Sequence, residues 1–366
     1  MKKILLLLIA FSLLLTGCYS SHISNELQTT ASENPESIIP FLTYYNNEDR
    51  SEVKAKLSYW DVKNSKVNFT DNKVYTAFLN VNNRVNPIMW DGANKIVLFK
   101  NCLPDATYKE NAKVIKEYTQ DTVYGRDIEA KRNMDEKDSR KNKDYTLFLK
   151  NQSRVIQKKA TFLFTTKDEA NNDVAVGEFD IPSYVDYNTQ TGEITFIFKY
   201  FFQTHASLFV AKCNINSIKE VDWQEIKLSK DIIAGGGLTP YPINSALIGS
   251  KYYIQSSGSF AEVDLDKKIS KLLLDVNNTC RSIVKEGKYV PDHIKEILPI
   301  GSYNNILILQ VPISSDIGLE YVICAFKENS FMGAIHLRTD DTWSIINKDR
   351  QKIDEITQTS HIENVL

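Results

Sequence analysis

No apolar run in this sequence is long enough to cross a bilayer. The longest, Ile4–Leu15, is broken by Ser12 and falls short of the roughly 20 residues that a spanning helix needs. Cysteine is scarce, at five, and none falls in a Cys-x-x-Cys pair, so neither a zinc cluster nor a thioredoxin-like motif is supported. Excess charge is lacking too. A formal balance of −2 gives no field that would by itself select nucleic acid or an acidic lipid surface. Among catalytic signatures, Gly-x-Ser-x-Gly, His-Glu-x-x-His and the P-loop are absent. Ser51-Glu52-Val53-Lys54 has the Ser-x-x-Lys spacing of penicillin-recognising enzymes but lacks their companion motifs.

What is present begins at the N-terminus. Lys2-Lys3, the short apolar run and then small residues have the form of a secretory signal peptide. Leu15-Thr16-Gly17-Cys18 follows, and with it the segment resembles bacterial lipoprotein precursors, whose lipobox is Leu, two short residues and Cys. The resemblance implies cleavage between Gly17 and Cys18 and a diacylglycerol on the Cys18 thiol, with palmitate-type chains. Two acyl chains hold stably where one does not, at about 0.8 kcal/mol per buried CH₂. The implied location is the extracytoplasmic face of the cell membrane. Loss of residues 1–17 removes two lysines and moves the balance to about −4, still too weak to select a partner by field.

The expected division is a signal peptide at 1–17, a lipidated tether at 18–40 and a mainly β domain at 41–366. Residues 19–40 are rich in Ser, Thr, Asn, Gln and Glu and bury too little to order themselves. From Phe41 on, short β-type runs alternate with Asn, Asp, Gly and Lys: Val74–Leu79, Ile96–Phe99, Tyr145–Leu149, Thr161–Phe164, Ile194–Tyr200, Ser207–Ala211, Tyr252–Gln255, Ile306–Val311 and Tyr321–Phe326. Long amphipathic helices are hard to find. Residues 104–144 read as a charged insertion, with a short helix at Ala112–Tyr118 and a solvated tract at Arg126–Lys143. There Ile128, Ala130 and Met134 are the only apolar residues, and Asp127/Lys131 could pair at helical spacing. The end of the chain reads as Trp343–Ile346 and then a polar tail, with helical character at Lys352–Ile356.

Leu247-Ile248-Gly249-Ser250 and Pro299-Ile300-Gly301-Ser302 begin similar stretches of strand, turn and strand. These units resemble the blades of irregular β-propellers, four strands in about 40–50 residues, which implies about seven blades. A large β-sandwich or a pair of β domains also fits. Trp60-Asp61 and Trp90-Asp91 lack the Gly-His partner of WD repeats. No strand that would close a ring is evident at either terminus.

Candidate chemistry is thin. Gly235-Gly236-Gly237, before Leu238-Thr239-Pro240-Tyr241, permits close backbone approach and is the first candidate for a ligand loop. The prolines exclude a phosphate-cradling helix at that point. His205, His293, His336 and His361 are scattered without metal-ligand spacing, and no cofactor or metal is expected. Asp264/Asp266 and Asp340-Asp341 read as turn residues. With Cys18 lipidated, Cys102, Cys213, Cys280 and Cys324 allow three disulfide pairings or none. Two functions remain. One is a non-enzymatic, lipid-anchored binding protein with a protein or carbohydrate ligand and no nucleic acid. The other is an extracytoplasmic hydrolase or lyase acting on a cell-envelope or imported polymer.

Overall fold

A computed structural model describes residues 37–46, 53–77, 88–91, 96–99, 102–104, 122–125, 128–133, 142–151, 154–163, 165–167, 173–175, 182–201, 206–218, 222–234, 245–256, 259–285, 297–315, 318–357 and 361–365. The chain opens with β1 (Ile38–Asn46), β2 (Val53–Asp61) and β3 (Lys66–Ala77). A hairpin, β4 (Ile88–Asp91) and β5 (Ile96–Phe99), precedes the short β6 (Cys102–Pro104). The next sheet is β7 (Thr122–Gly125), β8 (Ile128–Arg132), β9 (Asn142–Asn151) and β10 (Arg154–Leu163), followed by the hairpin of β11 (Thr165–Lys167) and β12 (Asp173–Ala175). Then come β13 (Tyr184–Tyr187), β14 (Glu193–Phe201), β15 (Ala206–Asn214) and β16 (Asp222–Lys227), and helix α1 (Lys230–Ala234). Strands β17 (Ser245–Ile248), β18 (Lys251–Ser256), β19 (Ser259–Asp264) and β20 (Ile269–Leu272) lead to helix α2 (Leu274–Lys285). The last sheet is β21 (Leu298–Tyr303), β22 (Ile306–Ser315), β23 (Gly318–Lys327), β24 (Ser330–Leu337), β25 (Thr342–Ile346) and β26 (Lys352–Thr357), and the chain ends in β27 (His361–Val365).

Each large sheet is antiparallel, and from β7–β10 onward each packs face to face on the next large sheet, the last of them on the first. Phe196 and Phe198 meet Tyr145, Leu147 and Leu149 in a core between β7–β10 and β13–β16. On the other face of β13–β16, Ile197, Leu208 and Val210 meet Tyr252, Ile254 and Val263 of β17–β20. Tyr253 and Phe260 point the opposite way, into a core with Leu309, Val311 and Cys324 of β21–β26. Finally Ile308, Ile323 and Ile335 meet Ile39, Phe41 and Trp60 of the first sheet. Sheets covered on both faces need apolar residues at odd and even positions alike, which is why Glu193–Phe201 reads as nearly unbroken apolar sequence. Full burial of each such side chain is worth about 1.5–3 kcal/mol.

The series closes on itself. β27 pairs antiparallel with β1, so the first sheet has the order β27-β1-β2-β3-β6 and is built from both ends of the chain. First strands of successive sheets also touch, β7 with β13, β17 with β21, and β21 with β27. Meanders stacked in chain order and clasped by the last strand make an irregular, mainly β propeller. Among the described residues five sheets have four or more strands, and two more are hairpins.

Several expectations change. The charged tract at 126–143 is in part core strand: Ile128 and Ala130 of β8 are buried against Tyr145 and Leu147, and Lys131 lies in the same strand, while Asp127 lies outside the described residues. Ile128, Ala130 and the buried Arg132 stand at alternate positions of β8, so the residues that count recur with period 2. The expected helix at Ala112–Tyr118 lies outside the described residues. The polar tail holds two strands, and Lys352–Ile356 is β26, paired with β25. β1 starts at Ile38, inside the stretch assigned to the tether. Helix α2 was not foreseen. Its Val276, Cys280 and Ile283 fill the wedge between β17–β20 and β21–β26, with Leu273 just before it.

The two Gly-Ser stretches do fall at the start of successive sheets, though they take different parts. Gly249-Ser250 is the β17–β18 turn, with Gly249 at φ 57°, whereas Gly301-Ser302 lies within β21, beside a register shift after Pro299.

Candidate functional site

Consecutive hairpins of a meander lie at opposite ends of the sheet, so the ring has two faces. Two hydrogen bonds align three of the sheets. Ser245 Oγ donates to the Ser183 carbonyl at 3.5 Å, and Ser302 Oγ to the Leu247 carbonyl at 3.0 Å, so β13, β17 and β21 run the same way. One face then collects the tight hairpins. Asn304-Asn305 (φ 47° and 62°) and Glu328-Asn329 (φ 50° and 68°) are both left-handed at two successive residues, the geometry of two-residue hairpins matched to strand twist. The other face receives every crossing into β13, β17 and β21, including those that carry α1 and α2.

On the crossing face, β23, β24 and the turn after β24 assemble a buried acid. Glu320 is 1% exposed, and its Oε2 shares a 2.7 Å hydrogen bond with His336 Nε2. Its Oε1 accepts from Thr339 N and Thr339 Oγ1, each at 3.4 Å. Register explains the meeting: His336 lies opposite Val322, so Glu320, two residues back, shares its face. Burial pushes His336 below its usual range, against the opposing pull of the Glu320 carboxylate. The imidazole is therefore neutral near pH 7, and its Nε2–H tautomer is the one that would donate to Glu320. Gly318 admits the Thr339 turn: a Cβ there would lie 3.0 Å from Thr339 Cγ2, on a backbone at φ +141°. The arrangement can hold or pass a proton, and it also pins two connections together.

Two other polar groups are built differently. Glu262, 4% exposed, accepts from the Tyr253 hydroxyl at 3.2 Å and pairs with Lys251 at 3.4 Å and Lys271 at 3.3 Å across β18, β19 and β20. Burial, then the Glu262 charge, push the Tyr253 phenol far up. Lys199 of β14 is 1% exposed, and burial pushes its ammonium down to about 8. On the tight-turn face, an open, polar cavity of about 350 Å³ lies among Ile156, Lys158, Tyr187, Gln190, Ile215 and Asn216.

Gly17, Cys18, Gly235, Gly236, Gly237, Tyr241, His205 and His293 lie outside the described residues, as does Ser51. His361 belongs to β27. Asp264 and Asp340 take turn roles, with Oδ1 accepting from Lys267 N at 3.0 Å and from Thr342 N at 3.2 Å. Trp60 is core, while Asp61 caps the β2–β3 turn by accepting from Asn64 N at 3.1 Å and Nδ2 at 2.8 Å. Cys213 lies in the core between β7–β10 and β13–β16, and Cys280 and Cys324 share another. Among the described residues no three His, Cys, Asp or Glu side chains converge on a possible metal position. Glu320 is the residue that sequence reasoning missed. It stands 16 positions from His336, and only a strand register could have linked them.

No protein-family model matches this chain, and neither does any curated protein. Among solved structures it is similar to the β-propeller domain of the Trilobed protease from Pyrococcus furiosus, at 9% identity and a TM-score of 0.31, over 84% of this chain and 79% of that one. At that score the fold rests on the sheets and their cores, not on the likeness.

Proposed function

We propose that this chain is a lipid-anchored extracytoplasmic binding protein, held to the membrane by diacylglycerol on Cys18 and presenting its crossing face to a protein or carbohydrate ligand. The observation that carries the reading is where the chain joins the ring. Ser37 accepts a 3.1 Å hydrogen bond from Val62 N, beside the β2–β3 turn, and Ile38 pairs with Asp61. Val62 and Trp60 lie 3.6 Å from where a Cβ on Gly333 would be, in the half of β24 next to the Glu328-Asn329 turn. The anchor segment therefore joins at the tight-turn face. A body held from that side turns its crossing face, with Glu320, His336, α1 and the start of α2, away from the bilayer. Short hairpins near the lipid and longer connections away from it suit a platform whose variable parts meet a partner.

The test has two arms. Globomycin should accumulate the precursor, and Cys18→Ala should release the folded protein from the membrane. A photo-crosslinking side chain at exposed Asp340, on the crossing face, should capture an envelope partner that the same side chain at exposed Asn304, on the tight-turn face, does not. Normal processing and retention of Cys18→Ala, or capture from Asn304 alone, would overturn the proposal.

The Glu320–His336 pair favours a second reading, an enzyme acting on a cell-envelope or imported polymer with that pair moving a proton. Under this reading His336→Gln abolishes release of soluble fragments from envelope polysaccharide or peptide. Under the first, it leaves partner capture from Asp340 intact.

A further inference from the structure

We infer that Cys280 and Cys324 are joined by a disulfide in the exported protein. The inference rests on the export proposed above. Cys280 sits mid-way along α2 on its buried stripe, between Val276 and Ile283, a spacing of four and three residues that faces one side of a helix. Cys324 sits mid-way along β23, opposite Ala334 of β24, on the face turned toward that stripe. Both are 0% exposed, and their thiols share a hydrogen bond. Thiols in such contact need only side-chain adjustment to reach bonded geometry, with Cβ atoms about 3.5–4.5 Å apart. Cys213 cannot compete, because it is buried in the core on the far side of β13–β16. Among the three cysteines whose side chains are described, only Cys280 and Cys324 share a core.

The chemistry balances with a disulfide oxidant, either an envelope thiol–disulfide exchange protein or a small-molecule disulfide. The thiolate of one cysteine attacks a sulfur of the oxidant, forming a mixed disulfide and releasing one thiol. The second cysteine then attacks the first, the protein S–S bond forms and the second oxidant thiol leaves. Two electrons pass to the oxidant, and the two protons end on its thiols. The hydrogen bond that the Cys324 thiol makes to Cys280, then burial, push that thiol well up in the folded chain, so little thiolate exists once α2 has docked. Closure belongs to folding, before the wedge is filled.

The full-length protein, extracted from its own membrane fraction and denatured in N-ethylmaleimide without reductant, is digested and weighed. A linked peptide pair carrying Cys280 and Cys324, with Cys213 alkylated, is expected. The wild type should also lose part of its thermal stability in dithiothreitol, and the Cys280→Ala/Cys324→Ala protein should show no such loss. Alkylation of both Cys280 and Cys324 overturns the inference, and refolding the reduced chain in glutathione disulfide then locates the fault. Closure under those conditions condemns the export reading. Failure to close condemns the pairing itself.

Discussion

Replacing Lys199 by Met should change how stability responds to alkali in a way that no surface lysine would. Burial lowers this ammonium from 10.5 to about 8 in the folded chain. Holding it charged at pH 7 therefore opposes folding by about 3 kcal/mol, at 1.36 kcal/mol per pH unit. The direction follows from linkage. Between about 8 and 10.5 the unfolded chain keeps a proton that the folded chain has released, so this residue makes stability rise with pH across that window. Other groups oppose it. Cys213, raised from 9.0 to about 12, ionises first in the unfolded chain and makes stability fall from about pH 9, as Tyr252 and Tyr253 do from about pH 10. The wild-type profile alone is therefore ambiguous, whereas the difference between Lys199→Met and wild type isolates the lysine. Whatever constant offset the lost contacts of Lys199 add, the advantage of the Met protein should shrink by roughly 2–3 kcal/mol from pH 7 to pH 10. Urea unfolding followed by tryptophan fluorescence at four pH values, with reductant held constant, measures it. A difference that stays level or grows with pH would refute the assignment of a buried, depressed ammonium.

Gly318→Ala should destabilise by about 1–3 kcal/mol, through a left-handed backbone and a 3.0 Å approach to Thr339 Cγ2, and thermal denaturation reads it directly. Because burial holds His336 below 6.5, the unfolded chain takes up a proton first on acidification, and stability falls as the pH drops from 6.5 to the folded value. His336→Gln should lower stability at pH 7 yet flatten that acid slope, as urea midpoints at pH 7 and pH 5 would show. Ending the chain after Thr357 removes β27 and leaves β1 an open edge. A lower melting temperature and concentration-dependent self-association by light scattering are expected.

How much of this was legible depended on where each residue's partner lay. Strands covered on both faces announce themselves, and Ile194–Tyr200, Ser207–Ala211 and Ile306–Val311 all lie within strands of double-sided sheets. β8 was hidden because its two apolar residues, at alternate positions, sit among charged neighbours in the sequence, so composition masked a period of two. α2 was hidden for a related reason. Asn277, Asn278 and Thr279 are poor helix formers, and only tertiary packing of Val276, Cys280 and Ile283 holds the turn. Asn277 is itself buried, and its Oδ1 accepts from Phe260 N at 3.1 Å, fastening the helix to the start of β19. The Glu320–His336 contact had no sequence signal at all. It depends on the β23–β24 register, and a slip of one residue would turn both side chains to the opposite core.

The closing strand bears on the proposed anchor as well as the fold. β1 is the first described strand and, along the chain, the one nearest the proposed lipid site at Cys18. It pairs with β2 from Ile38↔Asp61 to Asn46↔Val53, and on its other side with β27 from Phe41↔Val365 to Tyr44↔His361. A strand held along both edges unzips only if two ladders fail together, whereas an edge strand fails with one. Any pull transmitted from Cys18 would reach Ile38 first, at the end of β1 that β27 does not cover. There the load falls on the β2 pairing and on core contacts, with Ile38 at 3% and Ile39 at 0% exposure and Phe41 6.4 Å from Trp343 between ring centroids. β1 is thus secured by apolar packing at its first residues and by β27 further in. β27, which reads in sequence as a polar tail, closes the ring and, under the proposed anchoring, would also protect its attachment to the membrane.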